Sequence, residues 1–122
     1  MRVLVLALLL AAPAVAQEIP AHCRVHHIKI TTKRLGQMCG TWGTVAFRAT
    51  YYTKANQVIR PSRCPVDTVF PPSWGTNSTY SSLSPSSFIF AVHDVFDGEI
   101  IEAEASTVQG DNVVQEYVTF KY

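Results

Sequence analysis

Alternation of apolar and polar side chains is clearest in the last third of the chain. Residues 87–96 are rich in β-branched and aromatic types, Asp97-Gly98 follows, and residues 99–108 alternate; Gly110-Asp111 then leads into a third alternating run over 113–121. Asp-Gly between two such runs signals a type I′ hairpin, whose two central residues both need positive φ. Counting outward from two two-residue loops sets the register. Asp94 is expected opposite Ile101, Val92 opposite Ala103 and Phe90 opposite Ala105; on the next ladder Ala103 faces Val118 and Ile101 faces Phe120. Side chains on a strand alternate between faces, so Phe88, Phe90, Val92, Ile101, Ala103, Ala105, Val114, Val118 and Phe120 share one apolar face. His93, Glu102, Glu104, Tyr117 and Thr119 share the other, with His93 opposite Glu102, and Glu116 is a misfit on the apolar side. The pattern predicts a C-terminal three-strand meander.

Upstream the same period recurs. Residues 44–53 set Val45, Phe47, Ala49 and Tyr51 against Ala46, Arg48, Thr50 and Tyr52, a second clear strand. Residues 24–32 form a strand with Ile28 and Ile30 on one face, and Val25, out of phase, points to a bulge near His26. Residues 33–43 read as a loop, residues 54–56 as a turn and residues 57–60 as a short strand. Five of the seven prolines fall in residues 61–85, an irregular segment in which 66–70 is a candidate edge strand and Trp74 and Tyr80 are candidate anchors. No helical period of useful length occurs. The fold class expected is an all-β antiparallel sandwich of about seven strands, with Phe47, Tyr51, Phe88, Phe90, Val92, Ala103 and Val118 in its core.

The start of the chain follows a different rule. Arg2, the apolar run over residues 3–12 and Ala14-Val15-Ala16 together make a signal peptide over residues 1–16, with cleavage before Gln17. Residues 17–122 are then a single secreted, extracellular domain, long enough for a core of its own. Charge is divided along that domain. Residues 17–66 carry eight basic side chains and Glu18 as their single acid, whereas residues 67–122 carry eight acids and Lys121 as their single base. Either the halves neutralise each other across one sandwich, or the molecule keeps a basic surface for an acidic glycan, a lipid or a partner protein. The balance near zero gives no reason to expect nucleic acid.

An extracellular chain with Cys23, Cys39 and Cys64 is expected to hold one disulfide and one odd cysteine. If 23–32 is a strand, Cys23 and Cys39 lie near its opposite ends, too far apart to bond. If 57–60 pairs back along 44–53, the chain returns towards Cys39. Cys39–Cys64 is therefore the expected bridge, with Cys23 free or linking two molecules as a dimer.

Candidate chemistry is sparse. Asn77-Ser78-Thr79 is an N-glycosylation sequon in a polar loop. His22, His26 and His27 beside Cys23 match no zinc spacing, because neighbours on an extended chain point to opposite faces. Asp94, Asp97 and Glu99 resemble part of a calcium loop, but residues 33–43, the facing loop, supply no carboxylate. His93 and Asp94 are sequence neighbours on opposite faces, so Asp94 cannot orient that imidazole, and no nucleophile motif accompanies them. No metal, cofactor or enzyme activity is expected.

Trp74, Leu83-Ser84-Pro85 and residues 88–94 are similar to the tryptophan, leucine-proline step and following strand of C2-type β-sandwiches. That resemblance implies a membrane-surface module, and the absence of the family's calcium-binding aspartates from the first loop implies one independent of calcium. The wider layout of signal peptide, single domain of about a hundred residues, few cysteines and tyrosine-rich strand (Tyr51, Tyr52) before Cys64-Pro65 resembles the secreted clade V proteins of parasitic nematodes. It implies a compact sandwich released towards a host.

These readings converge on a secreted, non-enzymatic binding protein whose partner is a protein or receptor. The alternative is a carrier of lipid or another small ligand, or a membrane-surface module. The two long loops are the expected contact surface, tied together by Cys39–Cys64, with Lys33, Arg34, Trp42, Arg60, Arg63 and Trp74 as partner-binding residues.

Overall fold

The computed structural model describes residues 18–37, 42–84 and 87–122. Residues 1–16, expected to be a signal peptide, Cys39 and Pro85 lie outside the described residues. Among the described residues there are seven strands: β1 His27–Gln37, β2 Gly43–Tyr52, β3 Ser73–Thr76, β4 Ser81–Leu83, β5 Ile89–Val95, β6 Ile100–Gln109 and β7 Asn112–Lys121. They form two antiparallel sheets, ordered β1-β2-β5-β4 and β3-β6-β7. Val45, Phe47, Phe90, Val92 and Val95 from the first sheet meet Ile101, Ala103 and Tyr122 from the second in one buried cluster. A second cluster joins Val25, Ile28, Ala49, Tyr51 and Ile59 to Ala105 and Val114. The fold is the expected all-β sandwich. Of the core residues expected, Phe47, Tyr51, Phe90, Val92 and Ala103 are buried, while Phe88 and Val118 are half-buried against the clusters.

The two C-terminal turns behave differently. At Gly110-Asp111 the positive φ of 61° falls on the first central residue, as a type II′ hairpin requires, and β6 and β7 pair through Ala103↔Val118 and Ile101↔Phe120 as expected. At Asp97-Gly98 positive φ (86°) occurs at the second residue alone, with Glu99 N–H donating to Phe96 O at 3.1 Å. Turns without the primed geometry splay the strands they join. β5 and β6 accordingly lie in different sheets, and the expected three-strand meander is replaced by a corner plus one hairpin. His93 therefore does not face Glu102.

A bulge corrects the expected side-chain phase of β5. Val92 pairs with Val45 and Val95 with Gly43, so His93 and Asp94 together oppose Thr44. Asp94 takes φ of 57°, a left-handed conformation that aspartate tolerates better than most residues. The inserted residue turns Val95 inward beside Val92, both fully buried, and leaves Asp94 exposed rather than opposite Ile101.

Nearer the N-terminus, β1 starts at His27 and runs on to Gln37, through a register shift between Arg34 and Gly36, where a loop was expected. The bulge expected near His26 is absent; Val25 precedes the strand, its N–H donating to Gln109 Oε1 at 2.8 Å. Residues 57–60 contribute one bridge, Tyr52↔Val58, and residues 66–70 form no strand. The short strands of that region are β3 and β4 instead. Trp74 does anchor it, stacked on Phe90 at 5.3 Å with Nε1–H donating to Ser87 O at 2.8 Å. Tyr80 does not, being largely exposed.

The disulfide is Cys23–Cys64, not Cys39–Cys64. Antiparallel pairing sets the end of β2 beside the start of β1, with His27 opposite Tyr52. Cys23 lies just before β1, in a single 3-10 turn, and Cys64 follows a similar turn at Pro61–Arg63. The chain after Arg60 thus stays at this end rather than running back along β2. Cys23 is neither free nor available to link two molecules. Gln109 locks the same end: its Nε2 donates to Cys23 O at 2.7 Å and Thr68 O at 2.9 Å.

Candidate functional site

The end of the sandwich away from the disulfide carries an open groove of about 680 Å³. Trp42 enters it from the residue before β2, Phe96 from the residue after β5, and the two rings meet at a tilt of 46° with centroids 4.0 Å apart. Tyr80 stands on the loop between β3 and β4, and Asp94 and Glu99 bring carboxylates from the bulge and the corner turn. Trp42, Phe96 and Tyr80 are 42%, 48% and 60% exposed, an unusual outlay of aromatic surface at one spot.

Backbone architecture fixes these groups. The corner turn sets Phe96 and Glu99 three residues apart, and the Phe96 N–H also donates to Glu99 Oε1 at 3.3 Å. The β3–β4 loop is pinned through Asn77, whose Nδ2 donates to Ile100 O at 3.2 Å while its Oδ1 accepts from Glu102 N–H at 3.0 Å. Tyr80 is held on its carbonyl side by His93 N–H at 2.8 Å. Among the described residues no basic side chain lines the groove. Next to it, Arg34 lies 3.7 Å from Asp97 and places its guanidinium 3.9 Å from the centre of the Tyr122 ring.

The six residues expected to bind a partner do not form one surface. Lys33 and Arg34 sit exposed in the second half of β1, and Trp42 is in the groove. Arg60 and Arg63 flank the disulfide at the opposite end, and Trp74 belongs to the core layer. Half the length of β1 separates the two groups, on the order of 20 Å at strand rise. Phe96, Tyr80 and Asp94 are groove residues that the sequence reading missed as a site. The sequence carried no signal for the pairing that brings them together, because β2 and β5 are joined only in the folded sheet.

Charge divides between the sheets rather than cancelling. Lys29, Lys33 and Arg48 are exposed on the four-stranded sheet, Glu102 and Glu104 on the three-stranded one. Arg34–Asp97 is the one ion pair between the basic and acidic halves among the described residues. Tyr117, hydrogen-bonded to the Glu102 carboxylate, is held above the usual phenol pKa.

Two other constellations have specific geometry. His93 bridges Ser82 Oγ at 2.8 Å and Thr44 Oγ1 at 3.4 Å. A hydroxyl stands where a triad needs a carboxylate, so the imidazolium that would form has no charge partner. His22, Cys23 and Cys64 converge within 4.8 Å, but both sulfurs are committed to the disulfide and offer no thiolate. His26 and His27 do not diverge as an extended chain would have them, because His26 precedes β1; their Nδ1 atoms share a hydrogen bond of 2.9 Å.

Among the described residues no helix is long and apolar enough to cross a membrane. No protein-family model, curated protein or solved structure matches the chain.

Proposed function

We propose that this chain is a secreted, non-enzymatic binding domain that engages a protein partner through the aromatic and acidic groove. The observation that carries the reading is the exposed Trp42–Phe96 pair, in ring contact beside Asp94, which a bulge turns out of the core. Exposed aromatic anchors on a rigid β-scaffold provide contact area at small ordering cost. The Cys23–Cys64 bridge and the signal-peptide pattern of residues 1–16 support release from the cell, as does the layout shared with secreted clade V proteins. Asn77, exposed at the groove rim, is the proposed glycan acceptor. Trp74 stacked on Phe90 fills the place where a carrier would need an apolar cavity, which favours partner binding over lipid carriage.

A photo-crosslinking residue in place of Tyr80 tests this in the fluid into which the protein is secreted. The same residue in place of Val66, exposed in the segment after the disulfide, is the control. Crosslinking of one discrete protein from position 80 and not from 66 is expected. Equal capture from both positions, or from 66 alone, contradicts the assignment.

A further inference from the structure

Resting on that reading, we infer that the groove receives a cationic side chain of the partner, a guanidinium or ammonium group held between aromatic faces and the Asp94 carboxylate. Three independent observations converge. Asp94 is an exposed carboxylate with no ion-pair partner among the described residues, lifted into the groove by a backbone conformation that few residues adopt. The walls include the exposed rings of Trp42, Phe96 and Tyr80, and aromatic faces carry an electron-rich quadrupole that attracts cations. Glu99 adds a second carboxylate, and among the described residues no lysine, arginine or histidine lines the groove to neutralise either.

The same end of the molecule already displays this chemistry internally. Arg34 lies over the Tyr122 ring with Asp97 beside it, an aromatic face and a carboxylate sharing one guanidinium. The groove sets the same two kinds of group, aromatic rings and a carboxylate, beside each other. A metal ion is the poorer fit, because among the described residues the one set of three ligating groups that converges is His22, Cys23 and Cys64 at the opposite end.

The test uses the secreted protein and an acetylated tri-arginine amide, followed by amide and indole NMR shifts. The citrulline peptide of the same length is the uncharged control, and chitotriose the neutral sugar control. Shifts at the Trp42 indole and the Asp94 and Phe96 amides are expected with arginine alone. Asp94→Asn should weaken that binding by about tenfold with the remaining spectrum unchanged, because it removes the charge and keeps the shape. Equal shifts with citrulline or chitotriose, shifts confined to Glu102 and Glu104, or no shifts at all would overturn the inference. Crosslinking of a partner from position 80 together with silence towards the arginine peptide would sink the cation assignment and leave the binding reading standing.

Discussion

The phenol oxygen of Tyr122 occupies the space that a β-carbon on Gly43 would need. Tyr122 is also tied to the corner turn, its N–H donating to Glu99 O and its carbonyl accepting from Gly98 N–H, both at 2.9 Å. Gly43 thus lets the end of the chain close over the groove end of the sandwich. Gly43→Ala is expected to cost about 2 kcal/mol through overpacking. Combined with Tyr122→Ala, the loss should fall short of the sum of the single losses by about 1 kcal/mol, because the second change removes the obstruction. Denaturant unfolding of the four variants measures this, and strict additivity would break the pairing.

Gln109 makes three buried hydrogen bonds, to Val25 N–H, Cys23 O and Thr68 O. Gln109→Ala should cost about 3 kcal/mol, since three buried backbone groups lose their partner. Gln109→Glu should cost more, as a carboxylate cannot donate to two carbonyls. Hydrogen exchange at Val25 would speed up in both variants; unchanged protection would show that another group holds this amide.

Which parts of this architecture were legible is decided by parity and turn chemistry. The β6–β7 hairpin followed from Gly110 at the first turn position and from unbroken alternation on both sides. Gln109 was not singled out, although the inward parity of Ile101, Ala103 and Ala105 on β6 continues through Thr107 to it. β5 was misassigned for two physical reasons. Asp97-Gly98 resembles a type I′ loop in composition, yet the negative φ at Asp97 makes it a corner. The bulge at Asp94 then breaks parity, and one inserted residue reverses every side chain beyond it. β3 and β4, four and three residues long, are too short for any period to register. The groove was half visible: Trp42 was singled out, but its partners come from elements whose pairing only the fold supplies.

Peptide mapping under non-reducing conditions should recover Cys23 linked to Cys64. The enclosed segment spans a sequence separation of 41, for which chain-entropy reasoning gives about 4 kcal/mol. Cys64→Ser should lose stability of that order, whereas Cys39→Ser should leave the bridge intact. Recovery of Cys39 linked to Cys64 would contradict the arrangement of this end.

Burial pushes the Tyr51 phenol up from 10.0 to about 12, while its O–H donates to Phe70 O at 2.7 Å. The folded state thus favours the neutral form. Stability from this group is complete below pH 10 and declines as pH rises towards 12, where the unfolded chain ionises first. An ultraviolet phenolate titration should show two tyrosines, Tyr51 and Tyr117, ionising late, and Tyr51→Phe should remove one of those steps while costing about 1 kcal/mol for the lost hydrogen bond. Two late steps persisting in the variant would assign the second elsewhere.

The central claim, that the groove is where a partner binds, is tested most directly by affinity for the crosslinked partner. Asp94→Asn changes the groove, and Glu104→Gln changes a carboxylate exposed on the three-stranded sheet. Titration calorimetry should show Asp94→Asn weakening binding about tenfold or more, and Glu104→Gln within about twofold of the unaltered protein. Equal losses in both variants, or a loss in Glu104→Gln alone, would contradict the account.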